Sequence, residues 1–277
     1  MTARDPAGKP AWVGDLQAVT FDFGNTLVPV AHEDLRRVVA LTVETVLGDR
    51  AHAERDDFLT AWAEERERQF AEDVPQFREV DIAQRFVRVL ARRRGMAPPS
   101  REERWDDVAA AAYSDDREVV LAVDAYVDAF VASLPVPAAV GPLLSELSLH
   151  YRLAVLSNWP VARAIDRYVE VAGWGPYLDA LVVSQRVGAI KPRPEIFRAA
   201  ETALGGRFAA GSILHVGDDW AADVVGAKEA GWRAAYLRVR PDSPLPSSLP
   251  DGRVGVDLEI DRLVDLGEVL LVPAGAG

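Results

Sequence analysis

Residues 19–27 read Val-Thr-Phe-Asp-Phe-Gly-Asn-Thr-Leu, an apolar run that carries one carboxylate, Asp22. The run is rich in β-forming side chains and has turn-forming residues on either side, so we predict a buried strand over about residues 17–23. Asp22 then lies at the carboxyl end of that strand. Open α/β sheets place their reactive groups at this edge.

The chain after residue 135 alternates between helical and strand patterns. Strands separated by helices of about ten residues indicate a parallel sheet with right-handed crossovers. The predicted fold class is therefore α/β, a Rossmann-like parallel sheet with helices on both faces. We predict helices over 139–149, 160–171, 194–204, 221–230 and 258–271, and strands over 152–157, 179–184, 212–217 and 233–238.

Residues 31–134 show helical periodicity and no clear strand, with a further helix expected over 104–134. This segment separates the first strand from the other four, so the first strand must join their sheet. We predict a discontinuous core over 15–30 and 135–271, an all-helical cap over 31–134, and loose termini over 1–14 and 272–277. The cap leaves the core just after Asp22, a position that suits a lid.

The composition is that of a globular protein with an acidic balance, 49% apolar and 27% charged over 277 residues. A net charge of −12 disfavours nucleic acid as a partner. No apolar run approaches the roughly 20 residues that span a bilayer, so we expect no membrane association. The chain contains no cysteine, which excludes disulfides and thiolate metal sites and is typical of a cytoplasmic protein.

Further polar groups follow other predicted strands. Each has an ordinary explanation by itself, such as a helix cap, a turn or an exposed loop lysine. Because the carboxyl ends of parallel strands meet at one edge of a sheet, their joint occurrence predicts a single site there. These groups are Ser157-Asn158, Lys191, and Gly217-Asp218-Asp219 with Asp223 four residues further on.

The chemistry of these groups suits a phosphate. Asp22 and Asp218 would repel one another unless a cation lay between them, and all-oxygen ligation suits Mg²⁺. Mg²⁺ and Lys191 together could neutralise a phosphate, while the Ser157 hydroxyl and backbone N–H groups at a helix start could hold its oxygens. Asp22 could then attack phosphorus and form an aspartyl phosphate that water hydrolyses.

Taken together, these motifs resemble those of the haloacid dehalogenase-like hydrolases. The resemblance covers about residues 15–30 and 135–240, and it implies a Rossmann-like core with a helical cap inserted after the first strand. The matching stretches are Phe21-Asp22-Phe23-Gly24-Asn25-Thr26-Leu27, Leu156-Ser157-Asn158, Lys191-Pro192, Gly217-Asp218-Asp219, and the run from Asp223 to Gly231.

The resemblance also implies roles for single residues. Asp22 becomes the nucleophile, and Lys191 and Ser157 become phosphate ligands. Asn158 and Trp159, which follow Ser157, are candidates for substrate contact, although a Trp in the first turn of a helix often packs between layers.

A metal site is implied by the same resemblance. Mg²⁺ would be held by the Asp22 side chain, the Gly24 carbonyl oxygen and Asp218. Asp219 or Asp223 would order the surroundings of the metal.

Gly24 departs from the usual phosphatase pattern, in which a second Asp protonates the leaving oxygen and then deprotonates the attacking water. Such a group is typically worth about 10²–10⁴ in rate. The expected function is Mg²⁺-dependent hydrolysis of a small phosphorylated metabolite, a phosphomonoester. Either its leaving group needs little protonation or a cap residue such as His32 supplies the acid.

Other functions stay open from the sequence. One is a catalytically weak or non-catalytic regulatory protein that binds phosphate and metal. A second is a 2-haloacid dehalogenase, whose chemistry needs no metal and leaves Asp218 and Asp223 without a role. A third, phosphonoacetaldehyde hydrolase, is disfavoured because it needs a cap lysine, and residues 31–134 contain none.

Overall fold

The computed structural model describes residues 9–97, 116–206, 208–238, 244–245, 247–252 and 254–271. They belong to two compact units. The sheet unit takes in the residues up to Ala31, Pro135–Asn158, and those from Tyr168 onward, and the helical unit takes in His32–Leu134 and Trp159–Arg167. The predicted termini over 1–8 and 272–277, and the predicted helix over 104–115, lie outside the described residues.

The sheet unit is built on a six-stranded parallel sheet in the order β3-β2-β1-β4-β5-β6. From β1 the chain moves outward through β2 and β3, and then returns to β4 on the other side of β1. The switch point between the two halves therefore lies between β1 and β4, where α/β sheets bind their ligands. The strands are β1 Ala18–Phe21, β2 Arg152–Ser157, β3 Ala180–Val183, β4 Ile213–Gly217, β5 Arg233–Leu237 and β6 Leu258–Ile260.

The two central strands are buried along their whole length, as expected for parallel strands covered on both faces. Their only polar side chains, Thr20 and His215, face each other in the parallel register between β1 and β4. Right-handed crossovers place the helices of the two halves on opposite faces. The predicted α/β class with a Rossmann-like sheet is confirmed.

The described helices fall into two successive groups along the chain. The first four, which lie in the helical unit, are α1 His32–Leu47, α2 Ala51–Glu72, α3 Ile82–Arg93 and α4 Asp116–Ser133. The next are α5 Val140–Ser148, α6 Ala162–Val171, α7 Ser184–Val187, α8 Pro194–Ala203, a π-helical turn Trp220–Val225, α9 Gly226–Glu229 and α10 Asp265–Leu270. Short 3₁₀ turns occur at Ala11–Asp15, Gly48–Arg50, Val74–Gln76 and Gly175–Tyr177. No described helix has both the length and the apolar character needed to cross a membrane.

The helical unit has an aromatic core of its own around Trp62. Its ring lies 5.0 Å from Phe86, 6.1 Å from Tyr126 and 6.3 Å from Phe58, measured between centroids. Helix α3 starts where the Asp81 side chain accepts a hydrogen bond from Gln84 N, an N-cap that satisfies an otherwise free backbone donor. The described residues of this unit contain no strand.

The prediction of a helix over 258–271 was wrong in its first part, because Leu258–Ile260 forms the edge strand β6. The preceding residue explains the difference. Asp257 accepts hydrogen bonds from the Ala234 backbone N–H and from the Lys228 and Arg233 side chains, at 2.8–3.0 Å. These contacts hold the segment against β5, and helix α10 begins only at Asp265.

Candidate active site

The polar groups predicted at strand ends lie in the sheet unit, at the carboxyl edge of neighbouring strands. Asp22 directly follows β1, Ser157 is the last residue of β2, and Asp218 directly follows β4. Lys191 comes from the loop after α7. Hydrogen bonds and short distances between carboxylates bring these four side chains into one site.

Asp22 is held through one of its two carboxylate oxygens. Its Oδ1 accepts hydrogen bonds from Ser157 Oγ at 3.0 Å and from Lys191 Nζ at 2.8 Å. Within the described residues, no hydrogen bond reaches its Oδ2. Burial raises the pKa of Asp22 against the pull of Lys191, and the nearby Asp223 carboxylate adds to the rise. One oxygen is therefore fixed in place while the other stays available to an incoming electrophile or cation.

All three N–H groups of the Lys191 ammonium donate hydrogen bonds to acceptors of the protein. Nζ lies 2.8 Å from Asp22 Oδ1, 2.6 Å from Asp223 Oδ1 and 2.8 Å from the Leu156 carbonyl oxygen. The side chain is buried, which lowers its pKa, but the two carboxylates outweigh burial and the pKa is raised overall. Lys191 is therefore a permanent cation with a fixed direction.

Asn158 fixes the loop that carries Lys191. Its Oδ1 accepts from the Lys191 backbone N–H at 2.7 Å, and its Nδ2 donates to the Lys191 carbonyl oxygen at 3.2 Å. The Lys191–Pro192 peptide bond is cis. Both polar ends of the Asn158 amide are thus engaged with the protein, and its predicted contact with substrate stays a prediction.

Asp218 is a buried carboxylate with a weak protein donor. Its Oδ2 accepts from Asn25 Nδ2 at 3.3 Å, and Asn25 Oδ1 in turn accepts from Val30 N. Burial raises the pKa of Asp218 to about 8, with further contributions from Asp22 and Asp223. Sequence reasoning missed Asn25, whose left-handed backbone (φ 59°) is a conformation that Asn adopts more readily than most residues.

Asp219 turns the chain into the π-helical turn. Its Oδ1 accepts from the backbone N–H groups of Ala221 and Ala222 at 3.0 and 3.1 Å, as an N-cap residue does. The same oxygen accepts a hydrogen bond from Ser248 Oγ at 2.5 Å. The contacts of Asp219 are therefore those of a helix cap, and its predicted role in ordering the surroundings of a metal stays a prediction.

Asp223 connects the motif after β4 to Lys191. Its Oδ2 accepts from the Asp219 backbone N–H at 2.9 Å, and its Oδ1 receives Lys191 Nζ and lies 3.0 Å from His215 Nε2. Burial raises the pKa of Asp223, but Lys191 and His215 lower it by a larger amount, so the pKa lies below its usual value. A Cβ on Gly217 would lie 2.1 Å from Asp223 Oδ2, which explains why glycine ends β4.

His215 is a second site residue that sequence reasoning missed. It is buried in the middle of β4, 2.8 Å from Thr20 Oγ1 through Nδ1 and 3.0 Å from Asp223 Oδ1 through Nε2. The available signal was a lone polar ring in an otherwise apolar strand, opposite a lone hydroxyl in the neighbouring strand.

The carboxylates of the site suit a hard divalent cation. Asp22, Asp218 and Asp223 offer oxygens that all lie within 4.8 Å of one another. Among the described residues, these three carboxylates face one cation, Lys191, and Mg²⁺ would stabilise their ionised forms with oxygen ligands. Both Asp223 oxygens already accept from protein donors, so Asp22 and Asp218 are the better ligands.

The contacts described above assign no role to the other two predicted site residues, Gly24 and Trp159. Gly24 forms an isolated parallel bridge with Val28 inside the loop after β1, and its part in metal binding stays a prediction. Trp159 belongs to the helical unit, where it is 5% exposed and packs 5.3 Å from the Phe130 ring. Its contact with substrate also stays a prediction.

Known proteins are similar to this chain in sequence and in fold. A phosphoserine phosphatase from Thermus thermophilus is 38% identical over 124 residues, which are 44% of this chain and 44% of the relative. A glyceraldehyde 3-phosphate phosphatase from Methanopyrus kandleri is 26% identical over 267 residues, covering 92% of this chain and 97% of the relative. For most of the curated relatives that it matches, the chain spans only about half of their length.

The crystal structure of a 2-haloacid dehalogenase from Pseudomonas syringae has the same fold, with a TM-score of 0.62 and 24% identity. The alignment covers 92% of this chain and 98% of that one. The family model of the haloacid dehalogenase-like hydrolases matches residues 16–231, well over half of the chain. The chain therefore belongs to the haloacid dehalogenase-like hydrolases.

Proposed function

We propose that this protein hydrolyses a small phosphorylated metabolite, a phosphomonoester, with Asp22 as the nucleophile and Mg²⁺ as the cofactor. The observation that carries the proposal is the asymmetric hold on Asp22. Ser157 and Lys191 occupy Oδ1, while no described residue donates to Oδ2. Relatives that are named phosphatases of phosphoserine and of glyceraldehyde 3-phosphate support the same reaction class.

The reaction proceeds in two displacements at phosphorus. Asp22 Oδ2 forms a bond to phosphorus while the ester P–O bond breaks, which leaves an aspartyl phosphate and an alkoxide. Water then attacks phosphorus, the bond to Asp22 breaks, and inorganic phosphate leaves with the carboxylate restored. The proton that the water loses balances the one that the alkoxide takes up from solvent to become an alcohol. Lys191 and Ser157 both converge on Asp22 Oδ1, so each is placed to exchange that hydrogen bond for one to a phosphoryl oxygen, while Lys191 keeps its contacts with Asp223 and the Leu156 carbonyl oxygen.

Mg²⁺ bound by Asp22 and Asp218, together with the Gly24 carbonyl oxygen, would supply further positive charge for the phosphate. The donor set supports this cofactor, since the carboxylates outnumber the one cation of the site. Lys191 cannot neutralise all of them by itself. The remaining charge is the reason for a further cation, which no described residue provides.

Gly24 restricts the class of substrate. It offers no side chain to give the departing alkoxide a proton, so the leaving group must be stable as an anion. An anomeric sugar phosphate meets this condition better than the phosphate of a simple alcohol. His32, the other candidate acid, is an exposed residue at the start of α1.

The test is a panel of phosphorylated metabolites with added Mg²⁺, read out as free phosphate. Asp22→Asn keeps an oxygen for Ser157 and Lys191 but loses the nucleophile, so we expect phosphate release to fall by about 10³-fold or more. Asp261→Asn, which changes an exposed carboxylate, serves as the matched control and is expected to keep full activity.

Each alternative has its own outcome in this experiment. Full activity in Asp22→Asn would show that another group attacks phosphorus. Wild-type protein that binds inorganic phosphate with Mg²⁺ but releases none from any substrate would be a binding protein. Halide release from a 2-haloacid without Mg²⁺ would make it a dehalogenase.

A further inference from the structure

A buried histidine lies next to the Asp22 site and takes part in neither displacement at phosphorus. His215 is 1% exposed and is the third residue of β4, directly opposite Thr20 of β1. Phe197 packs edge-on against its ring, with centroids 6.1 Å apart. Within the described part of the chain, the hydrogen-bond partners of the ring lie at its two nitrogens.

These two contacts define the tautomer of the neutral ring. The Asp223 carboxylate can only accept, so the proton lies on Nε2, which donates to Oδ1 at 3.0 Å. Nδ1 is then an acceptor, and the Thr20 hydroxyl donates to it at 2.8 Å. The other acceptor near that hydroxyl, the Leu214 carbonyl oxygen, is 3.5 Å away. Burial lowers the pKa of His215, which agrees with a neutral ring.

We infer that His215 is a positioning residue, which holds Asp223 in the rotamer that aims Lys191 at Asp22; this role rests on the proposed function of Asp22. Asp223 Oδ1 receives both the His215 Nε2–H and, at 2.6 Å, Lys191 Nζ. Lys191 extends from there to Asp22 Oδ1 at 2.8 Å. Thr20, His215 and Asp223 thus form a chain of hydrogen bonds that ends at the Lys191 ammonium group, next to Asp22.

The geometry gives His215 this role because Asp223 stands on a short π-helical turn, not on a strand. The Asp219 backbone N–H fixes Oδ2, but a carboxylate held by one oxygen can still swing about that contact. The ring nitrogen of β4 provides a second point of attachment from the rigid centre of the sheet. Partners that orient a site residue in this way are typically worth about 10–100-fold in activity or affinity.

Three variants separate positioning from plain packing. His215→Phe fills the same space without a donor, and we expect kcat per folded molecule to fall about 10–100-fold. His215→Gln places an amide Nε2–H toward Asp223 and is expected to recover most of the lost kcat. Thr20→Val is expected to lower kcat less, and to have no further effect in the His215→Phe background.

Two readouts are independent of turnover. Calorimetric titration with inorganic phosphate and Mg²⁺ is expected to show weaker binding by about tenfold in His215→Phe and near-normal binding in His215→Gln. A long-range ¹H–¹⁵N spectrum of the wild type is expected to show the neutral tautomer with the proton on Nε2. Urea unfolding of each variant gives the folded fraction by which kcat is corrected.

The inference is overturned by equal kcat and equal phosphate affinity in wild type and His215→Phe, or by a ring protonated at Nδ1. Failure of the proposed function has a different signature. Wild-type protein would then release no phosphate, whereas phosphate affinity would still follow the order of the variants.

Discussion

Asp218 is expected to make the metal-free protein less stable than a neutral residue would at the same place. Burial raises the pKa of this carboxyl to about 8, and Asp22 and Asp223 add to the effect. An Asp in the unfolded chain has a pKa of about 3.9. Between these two values the unfolded state has released a proton that the folded state still holds. The free energy of unfolding of the metal-free protein therefore falls as pH rises from about 4 to about 8.

The Asp218→Asn substitution removes this titration and keeps the shape of the side chain. Its carbonyl oxygen can still accept from Asn25 Nδ2, which lies 3.3 Å from Asp218 Oδ2 in the wild type. One pKa unit corresponds to about 1.4 kcal/mol. The penalty of the wild type is then about 4 kcal/mol at pH 7 and about 1.5 kcal/mol at pH 5. We expect the variant to exceed the wild type in stability by up to these amounts.

Urea unfolding in EDTA at the two pH values measures the difference directly. Added Mg²⁺ should raise the stability of the wild type, because binding to the folded state alone shifts the equilibrium. The Asp218→Asn variant should lose most of this response together with its ligand. Asp261→Asn, at an exposed carboxylate paired with Arg238, is the control and should change little at either pH.

Two outcomes would refute this reasoning. If Asp218→Asn is less stable than the wild type in EDTA at pH 7, or if its advantage does not grow from pH 5 to pH 7, burial and the neighbouring carboxylates do not raise the pKa of Asp218 in the folded protein. If Mg²⁺ stabilises both proteins equally, Asp218 is not a ligand of the metal.

Three further substitutions test other contacts of the site. Lys191→Met removes the cation shared by Asp22 and Asp223, so we expect a loss of about 3–5 kcal/mol in urea unfolding and no phosphate release; unchanged stability would contradict the shared ion pair. Gly217→Ala brings a Cβ within 2.1 Å of Asp223 Oδ2, so thermal unfolding should occur well below that of the wild type, whereas Gly255→Ala, with nothing within 4 Å, should unfold as the wild type does. Gly24→Asp should accelerate phosphate release from an alkyl phosphate much more than from an aryl phosphate, and equal rates in both proteins on both substrates would contradict the missing-acid argument.

The sheet was predictable because its strands and helices are themselves periodic. A run such as β4, buried at all five positions, differs plainly from the amphipathic helices around it. Strand β6 could not be predicted in this way. It has only three residues, Leu258–Ile260, and its place at the edge of the sheet depends on the contacts of Asp257 with Arg233 and Lys228, which lie far away in sequence.

The residue types of the candidate site could be predicted from the sequence, but the hydrogen bonds between them could not. Position at a strand end indicated that Asp22 and Lys191 lie near each other, since it depends only on topology. The direction of a side chain beyond a strand depends on loop geometry that periodicity does not carry. For this reason the pairing of Asn158 with the Lys191 backbone and the link from His215 to Asp223 were missed, while the contact of Asn158 with substrate stays a prediction.

The negative charge of the site gives a physical reason for a glycine at position 24. Asp22 and Asp223 already share the Lys191 ammonium group, and burial, with the charges of these two carboxylates, raises the pKa of Asp218 to about 8. A fourth carboxylate at position 24 would increase the repulsion and make the metal-free fold still less stable. The same substitution would supply the proton carrier that hydrolysis of an unactivated ester requires. If the proposed function is correct, Gly24 keeps the metal-free fold more stable and narrows the range of leaving groups, and a substrate whose leaving group is stable as an anion is the one whose hydrolysis it slows least.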